Sequence, residues 1–234
     1  MSTQLRDLSK ERLEKMQAAG HVVEECHRVL AKVGENIVAD VLKDTGQFFQ
    51  MTHYPEGDVY DHDTHGQYYY HAHRGGEHGH FHLFLRPKGM PSEISPVKVE
   101  DYVEPEGDND ALSHLIAISM DAFGCAQSLF TTNRWVTAEY WYDCEDVIKM
   151  LDQFEIDHAS PSWPANQWIS AMVQLFHPQI CDLLRQRDKA IKKYQDEHEG
   201  ENVFEDRALD ITSELSCDAF EQIAAVKKAL KKIS

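Results

Sequence analysis

Between Gln67 and Leu85 the chain reads Gln-Tyr-Tyr-Tyr-His-Ala-His-Arg-Gly-Gly-Glu-His-Gly-His-Phe-His-Leu-Phe-Leu, and no other segment restricts the fold as much. Aromatic residues on both sides of this run favour extended backbone. Gly75-Gly76 at its centre signals a two-residue hairpin turn, because glycine readily takes the positive φ that such turns need. The turn sets a register in which Arg74 faces Glu77, His73 faces His78, His71 faces His80, Tyr70 faces Phe81 and Tyr69 faces His82. Side chains alternate across a strand. One face of the hairpin therefore carries Tyr69, His71, His73, His78, His80 and His82. The other carries Tyr68, Tyr70, Ala72, Phe81, Leu83 and Leu85, a face suited to a core.

The first face points to metal chemistry. Directly opposite residues have Cβ atoms about 4.5–5.5 Å apart, and imidazole nitrogen binds zinc at about 2.0–2.1 Å. Two histidines of one strand and one of its neighbour can thus meet on one ion. His71, His73 and His80 are the best trio, with His78 and His82 next. Left bare, such a cluster is costly to desolvate and self-repelling when protonated. The bland alternative is a histidine row that solvates an exposed sheet face. A divalent transition metal is the expected cofactor: zinc or copper on three histidines, or iron if Asp58, Asp61 or Asp63 supplies a carboxylate. Those three acids also suit turn capping, their commoner use. Tyr69 shares the histidine face and is a candidate proton donor. Arg134 and Glu139 are candidate catalytic residues on a segment expected to pair beside the hairpin, Arg134 because its planar fork fits a substrate carboxylate. His114 is a possible further ligand, though a strand-end core histidine is the simpler expectation.

His71-x-His73-xxx-Glu77 is similar to part of the first motif of the cupin family, in which two histidines and the glutamate bind metal inside a β-barrel. Here Gly66 stands one position closer than the family's glycine, the later glycine is missing, and the register above turns Glu77 away from both histidines. The longer string from His53-Tyr-Pro-Glu-Gly-Asp-Val-Tyr-Asp61 through Tyr68-Tyr-Tyr-His-Ala-His-Arg74 to Glu77-His-Gly-His-Phe-His82 resembles an uncharacterised family of bacterial proteins. That resemblance extends over most of the chain after residue 45 and implies no known activity.

The formal net charge of −17 over 234 residues repels phosphate backbones and anionic lipid, so neither nucleic acid nor membrane is an expected partner. The cysteines Cys26, Cys125, Cys144, Cys181 and Cys217 are odd in number and widely spaced, which argues against a disulfide framework. With a polar, mixed-charge N-terminus and no apolar run of the roughly 18–20 residues that span a bilayer, the chain reads as cytoplasmic.

Apolar residues recur at helical spacing from 4 to 44, with Gly20 a point where the helix could break and Gly46 a fitting stop. That stripe must pack on a sheet or on a second copy of the chain, so a homodimer is one expected arrangement. Residues 47–65 read as turns and an acidic loop. Residues 86–112, with four prolines, read as a long loop, either a lid or a disordered insertion. Strands are expected at 114–123 and 133–142. Helices are expected at 144–153, at 164–198 with a division at Pro178, and at 217–232 behind an Asp218/Glu221 capping box. Residues 207–213 fit a short strand or more helix. The expected fold is α+β in one domain: a helical segment at 1–45, a sheet-rich region at 47–142 and a helical region at 143–234. Function is expected to be that of a small-molecule metalloenzyme, an oxygenase or hydrolase. The alternative is a non-catalytic copper or zinc handler, sensor or store. A pH-responsive interaction protein is a third, lesser reading.

Overall fold

A computed structural model describes residues 4–43 and 45–233; the other positions, including the last one of the N-terminal helical segment expected at 4–44, lie outside the described residues. In chain order the elements are α1 (Lys10–Ala31), α2 (Ile37–Leu42), β1 (Tyr54–Tyr60), β2 (Gly66–His71), β3 (Gly79–Leu85), β4 (Ser113–Met120), β5 (Ala126–Thr132), α3 (Arg134–Thr137), α4 (Cys144–Met150), α5 (Trp163–Leu175), α6 (His177–Glu197), β6 (Ile211–Ser216) and α7 (Ala219–Ile233). The six strands form one sheet in the order β1-β2-β3-β4-β5-β6, each antiparallel to the next. The fold is α+β, with helices flanking an antiparallel sheet. No helix among the described residues is long and apolar enough to cross a membrane.

Local chemistry sets most boundaries. Ser9 caps α1 by accepting from the Arg12 amide at 3.2 Å, and Leu13, Met16, Val23, Cys26 and Leu30 bury one stripe of that helix. Gly20 does not break α1. A Cβ there would lie 2.9 Å from Ile223 Cγ1, so the glycine instead admits close packing of α7. The helix ends just beyond Ala31, and Asn36 restarts it as α2 by accepting from the Val38 and Ala39 amides, both at 3.0 Å. Pro178 does divide α5 from α6. Asp218 caps α7 through bonds from the Phe220 and Glu221 amides at 2.8 and 2.9 Å.

Three segments differ from the sequence reading. Residues 54–60 are an edge strand, not a loop. The strand is disguised because an edge tolerates Pro55, and because Gly57 and Asp58 take positive φ of 83° and 61° at a bulge. The strand expected at 133–142 is absent; β5 precedes it, and Asn133 ends β5 by capping the one-turn helix α3. The 86–112 segment is tied down along its length: Arg86 donates to the Asn109 carbonyl at 3.0 Å, Asn109 donates to the Tyr60 hydroxyl at 2.8 Å, and the Val97 amide donates to the Trp141 carbonyl at 2.8 Å.

The sheet has two unlike faces. Tyr68, Tyr70, Phe81, Leu83, Ile116, Ile118 and Leu129 belong to the main core with α1, α5 and α7. Tyr68 donates to Asn166 of α5 at 2.7 Å, and Phe81 meets Trp168 at a centroid distance of 6.1 Å. Each such side chain contributes about 1.5–3 kcal/mol by leaving water. The pairs Tyr69–His82, Tyr70–Phe81 and His71–His80 are the ones the turn register predicts. Gly79 lets β2 and β3 close on each other: a Cβ there would lie 2.6 Å from both the His71 carbonyl and the Tyr70 ring. We therefore expect Gly79→Ala to lose about 1–3 kcal/mol, the usual cost of overpacking. Gly75→Ala, where a Cβ meets nothing within 4 Å, should be near neutral. Urea denaturation of the two variants checks the difference, and equal midpoints would refute it.

Candidate metal centre

β2 supplies Tyr69 and His71, β3 supplies His80 and His82, and β4 supplies His114 and Ser119. Antiparallel pairing sets His71 against His80 and Tyr69 against His82, and the pleat puts all four on the face away from α1 and α5. The His71, His80 and His82 rings are mutually close, with centroids 4.5, 4.8 and 5.2 Å apart for the pairs 71–80, 80–82 and 71–82. One nitrogen from each lies within 4.8 Å of the others, so the buried trio could hold a metal ion. Around an ion at about 2.0–2.1 Å, tetrahedral donors sit roughly 3.3 Å apart, a contraction that side-chain rotation can supply.

The second nitrogen of each ring orients the first. His80 Nδ1 bonds Glu77 Oε1, and Glu77 Oε2 accepts from Ser119 Oγ at 2.5 Å. His82 Nδ1 bonds His114 Nε2 at 3.0 Å, and His114 Nδ1 is 3.5 Å from Thr132 Oγ1. With Nδ1 of both rings engaged, their Nε2 atoms face inward. His80 Nε2 is 2.7 Å from His71 Nε2, while His82 Nε2 and His71 Nδ1 are buried without a partner. A carboxylate behind a ligating histidine, as Glu77 stands behind His80, is a usual arrangement of a metal site.

The electrostatics favour neutral rings at His71, His82 and His114, neutral imidazole being the form that binds metal. Burial, then the neighbouring imidazoles His80 and His73, lower the His71 pKa to about 3. Burial lowers His82 far below the ordinary value, with His114 and His80 adding to it. His114 falls to about 3 through burial and the charge of Arg187. Burial alone would raise the Glu77 carboxyl, but bonds from His80 and Ser119 and the charges of His80 and Arg74 outweigh it, and the net shift is downward.

The structure distributes the remaining candidates. His73 is exposed on the turn, its centroid 4.9 and 5.0 Å from those of His71 and His80. His78 points to the opposite face, where its Nδ1 meets the Tyr70 hydroxyl at 2.8 Å and its ring stacks on Phe48. The ladder stops at His71 and Gly79, leaving residues 72–78 as the connection. Alternation therefore does not carry into the turn, and Glu77 swings onto the histidine face while His78 leaves it. Tyr69 lies in the cluster, 5.1 and 5.2 Å from the His71 and His82 rings. Glu139 is buried behind His114 and accepts from its amide at 2.7 Å. Arg134 is ion-paired with Glu205. Asp61 caps a turn, accepting from the Asp63 and Thr64 amides at 2.8 and 3.1 Å, and Asp58 accepts from Gln67 at 2.7 Å. His53 went unnoticed in the sequence; it stacks on Tyr69 at 3.6 Å. It stands one residue before the disguised edge strand, with no periodicity to signal it. His114 reaches the histidine face opposite Phe84 only through a bulge after Leu83.

Comparison with known families matches residues 17–217 to a domain of unknown function (DUF6969). No curated protein and no solved structure matches the chain. The family match agrees with the resemblance to an uncharacterised family.

Burial raises the Glu139 pKa to about 7, against the opposing charge of Arg187 and the bond from the His114 amide. Between the ordinary carboxylate value and about pH 7, the folded chain then holds a proton that the unfolded chain has released. The sign follows: this group's contribution is most favourable in acid and is lost as pH rises toward 7. Glu139→Gln keeps an acceptor and cannot titrate. Between about pH 5 and pH 8, wild type should lose on the order of 2 kcal/mol more than the variant. Urea midpoints at the two pH values measure this, and parallel pH profiles would contradict it.

Proposed function

The chain belongs to the DUF6969 family, whose function is unknown, and from its own residues we propose that it is a metalloprotein with one transition-metal ion on the Nε2 atoms of His71, His80 and His82, most readily used as a small-molecule metalloenzyme. The carrying observation is the inward convergence of these nitrogens, two of them fixed from behind by Glu77 and His114. Neutral imidazole donors suit zinc, copper or iron. Three protein ligands leave a coordination position for water or substrate, and a bound ion would supply Lewis acidity there. Tyr69 is the proposed proton donor to a ligand in that position, because its ring borders both His71 and His82. Glu77 and Glu139 act from behind the ligands: Glu77 orients His80, and Glu139 fixes the start of β4 through the His114 amide. Arg134, held by Glu205, has no part in this reading.

One observation favours a second reading. His80 and His82 are fully inaccessible to solvent, and a closed site suits holding an ion more than turning over a substrate. Azide or cyanide binding to cobalt-substituted protein separates the two. A changed visible spectrum indicates an open position and the enzyme reading; an unchanged spectrum indicates storage or handling.

Elemental analysis of tag-free protein by mass spectrometry tests the site itself. Wild type should carry about one zinc, copper or iron per chain, and a variant with His80→Ala and His82→Ala should carry none. Added metal at about 100 times its Kd should stabilise wild type by about 2.7 kcal/mol and leave the variant unmoved. Wild type that neither contains nor takes up metal would refute the proposal.

A further inference from the structure

The imidazoles of the β2–β3 pair form two triangles that share an edge. The inner one is His71, His80 and His82, described above. The outer one is His71, His73 and His80, with centroids 4.5, 4.9 and 5.0 Å apart for the pairs 71–80, 71–73 and 73–80. By ring centroid the outer triangle is as closely spaced as the inner, but among the described residues it is the inner three whose nitrogens gather within 4.8 Å, so His73 must turn inward to share an ion. The two differ in exposure: His82 is completely buried, His71 is 6 % exposed, and His73 stands in solvent on the turn.

We propose that the outer triangle is a second metal station, at which His73, with His71 and His80, takes a divalent transition-metal ion from solvent and passes it inward to His82. This rests on the reading of the inner triad as a metal centre. The transfer is a ligand exchange. The bond from the ion to His73 breaks as the bond to His82 Nε2 forms, while the bonds to His71 and His80 persist. One imidazole nitrogen replaces another, so the ion keeps its oxidation state and no electron moves. His82 Nε2 already has no hydrogen-bond partner to give up. The ion therefore reaches a buried site without shedding all its ligands at once, the step that would cost most in a desolvated interior.

The turn is built for this role. His73 follows the end of the β2 ladder, so its backbone is outside the strand pairing. Gly75 and Gly76 meet nothing within 4 Å of where a Cβ would stand, so the turn beside His73 is open to solvent. Arg74 tethers the turn above the cluster. Its guanidinium lies 4.4 Å from the Phe130 ring centroid, with Nη2 3.3 Å from Glu214 Oε1 and Nη1 3.7 Å from Glu77 Oε2. His73 is thereby kept over the shared His71–His80 edge.

The test is metal-exchange kinetics on the full chain, with zinc added to metal-free protein and withdrawn by a coloured chelator in stopped flow. His73→Ala should slow both uptake and release, on the order of tenfold, as a rise of about 1.4 kcal/mol in the exchange barrier would do. Since both rates fall together, the equilibrium affinity should stay close to wild type. His82→Ala should still take up an ion, weakly and with rapid exchange, and the His73→Ala/His82→Ala double variant should take up none. Wild-type exchange rates in His73→Ala would overturn the entry station. So would loss of the ion from His73→Ala as complete as that from the inner-triad variant, since His73 would then be a resident ligand. Wild type that binds no zinc, copper or iron would overturn the metal reading, and this inference with it.

Discussion

The antiparallel register of β2 and β3 is the constraint on which the rest of the molecule depends. Setting His71 against His80 simultaneously sets Tyr70 against Phe81 and Tyr69 against His82. A slip of one residue would send the aromatic set to the polar face and the imidazoles into the helix layer. The register is defended on both sides. On one face Tyr68, Tyr70, Phe81 and Leu83 lie in the main core, Tyr68 bonded to Asn166 and Phe81 against Trp168 of α5. On the other, Glu77 can reach both His80 and Ser119 of β4 only when β3 lies where it does. The helix layer thus positions the imidazoles through the sheet, without touching them.

Counting protons shows why the triad is under-satisfied as it stands. A neutral imidazole offers one N–H and one lone pair. His80 directs its Nδ1–H to Glu77, which leaves its Nε2 lone pair to accept from His71 Nε2. His71 then has a lone pair on Nδ1, and that atom has no partner. If His82 donates from Nδ1 to His114, its Nε2 lone pair is likewise alone. Two buried lone pairs in so small a cluster are costly. A cation among the three Nε2 atoms engages every lone pair there once the His71 proton moves to Nδ1. An apolar replacement of the cluster would remove the cost more simply. That these polar groups sit in the sheet's interior is the physical ground for assigning them an occupant.

How much of this was legible in the sequence depended on whether periodicity carried the signal. Where strands alternate, as in 67–71 and 79–85, residue order gave both the pairing and the two faces. The α7 cap and the division at Pro178 were equally plain, since each rests on local backbone chemistry. Legibility failed where a residue type serves two purposes. Gly20 looks like a helix breaker but provides room for Ile223. Pro55, Gly57 and Asp58 look like a turn but sit in an edge strand whose bulge they form. Arg134 to Tyr142 has strand composition, yet Asn133 caps a helical turn and diverts the chain. Gly75-Gly76 signals a minimal turn, and it does lie at the centre of the register. The ladder nonetheless opens at His71 and Gly79, and this alone exchanges Glu77 for His78 on the metal-facing side. His114 and His53 come to the cluster through a bulge and a ring stack, which no spacing rule anticipates.

The exchange of Glu77 for His78 changes what the site can be. A cluster of five surface imidazoles would bind several metals loosely, each ring free to turn and each exposed to protons. Placing Glu77 behind His80, and His114 behind His82, fixes two rings before any ion arrives. Burial lowers the pKa of His82, and of His71 and His114 beside it, which keeps those rings unprotonated. Selectivity then comes from the oriented nitrogens of His80 and His82 together with His71, not from the number of histidines. His73 is left outside in solvent. A buried trio with one exposed ring beside it separates the holding of an ion from its capture, and a buried centre needs both.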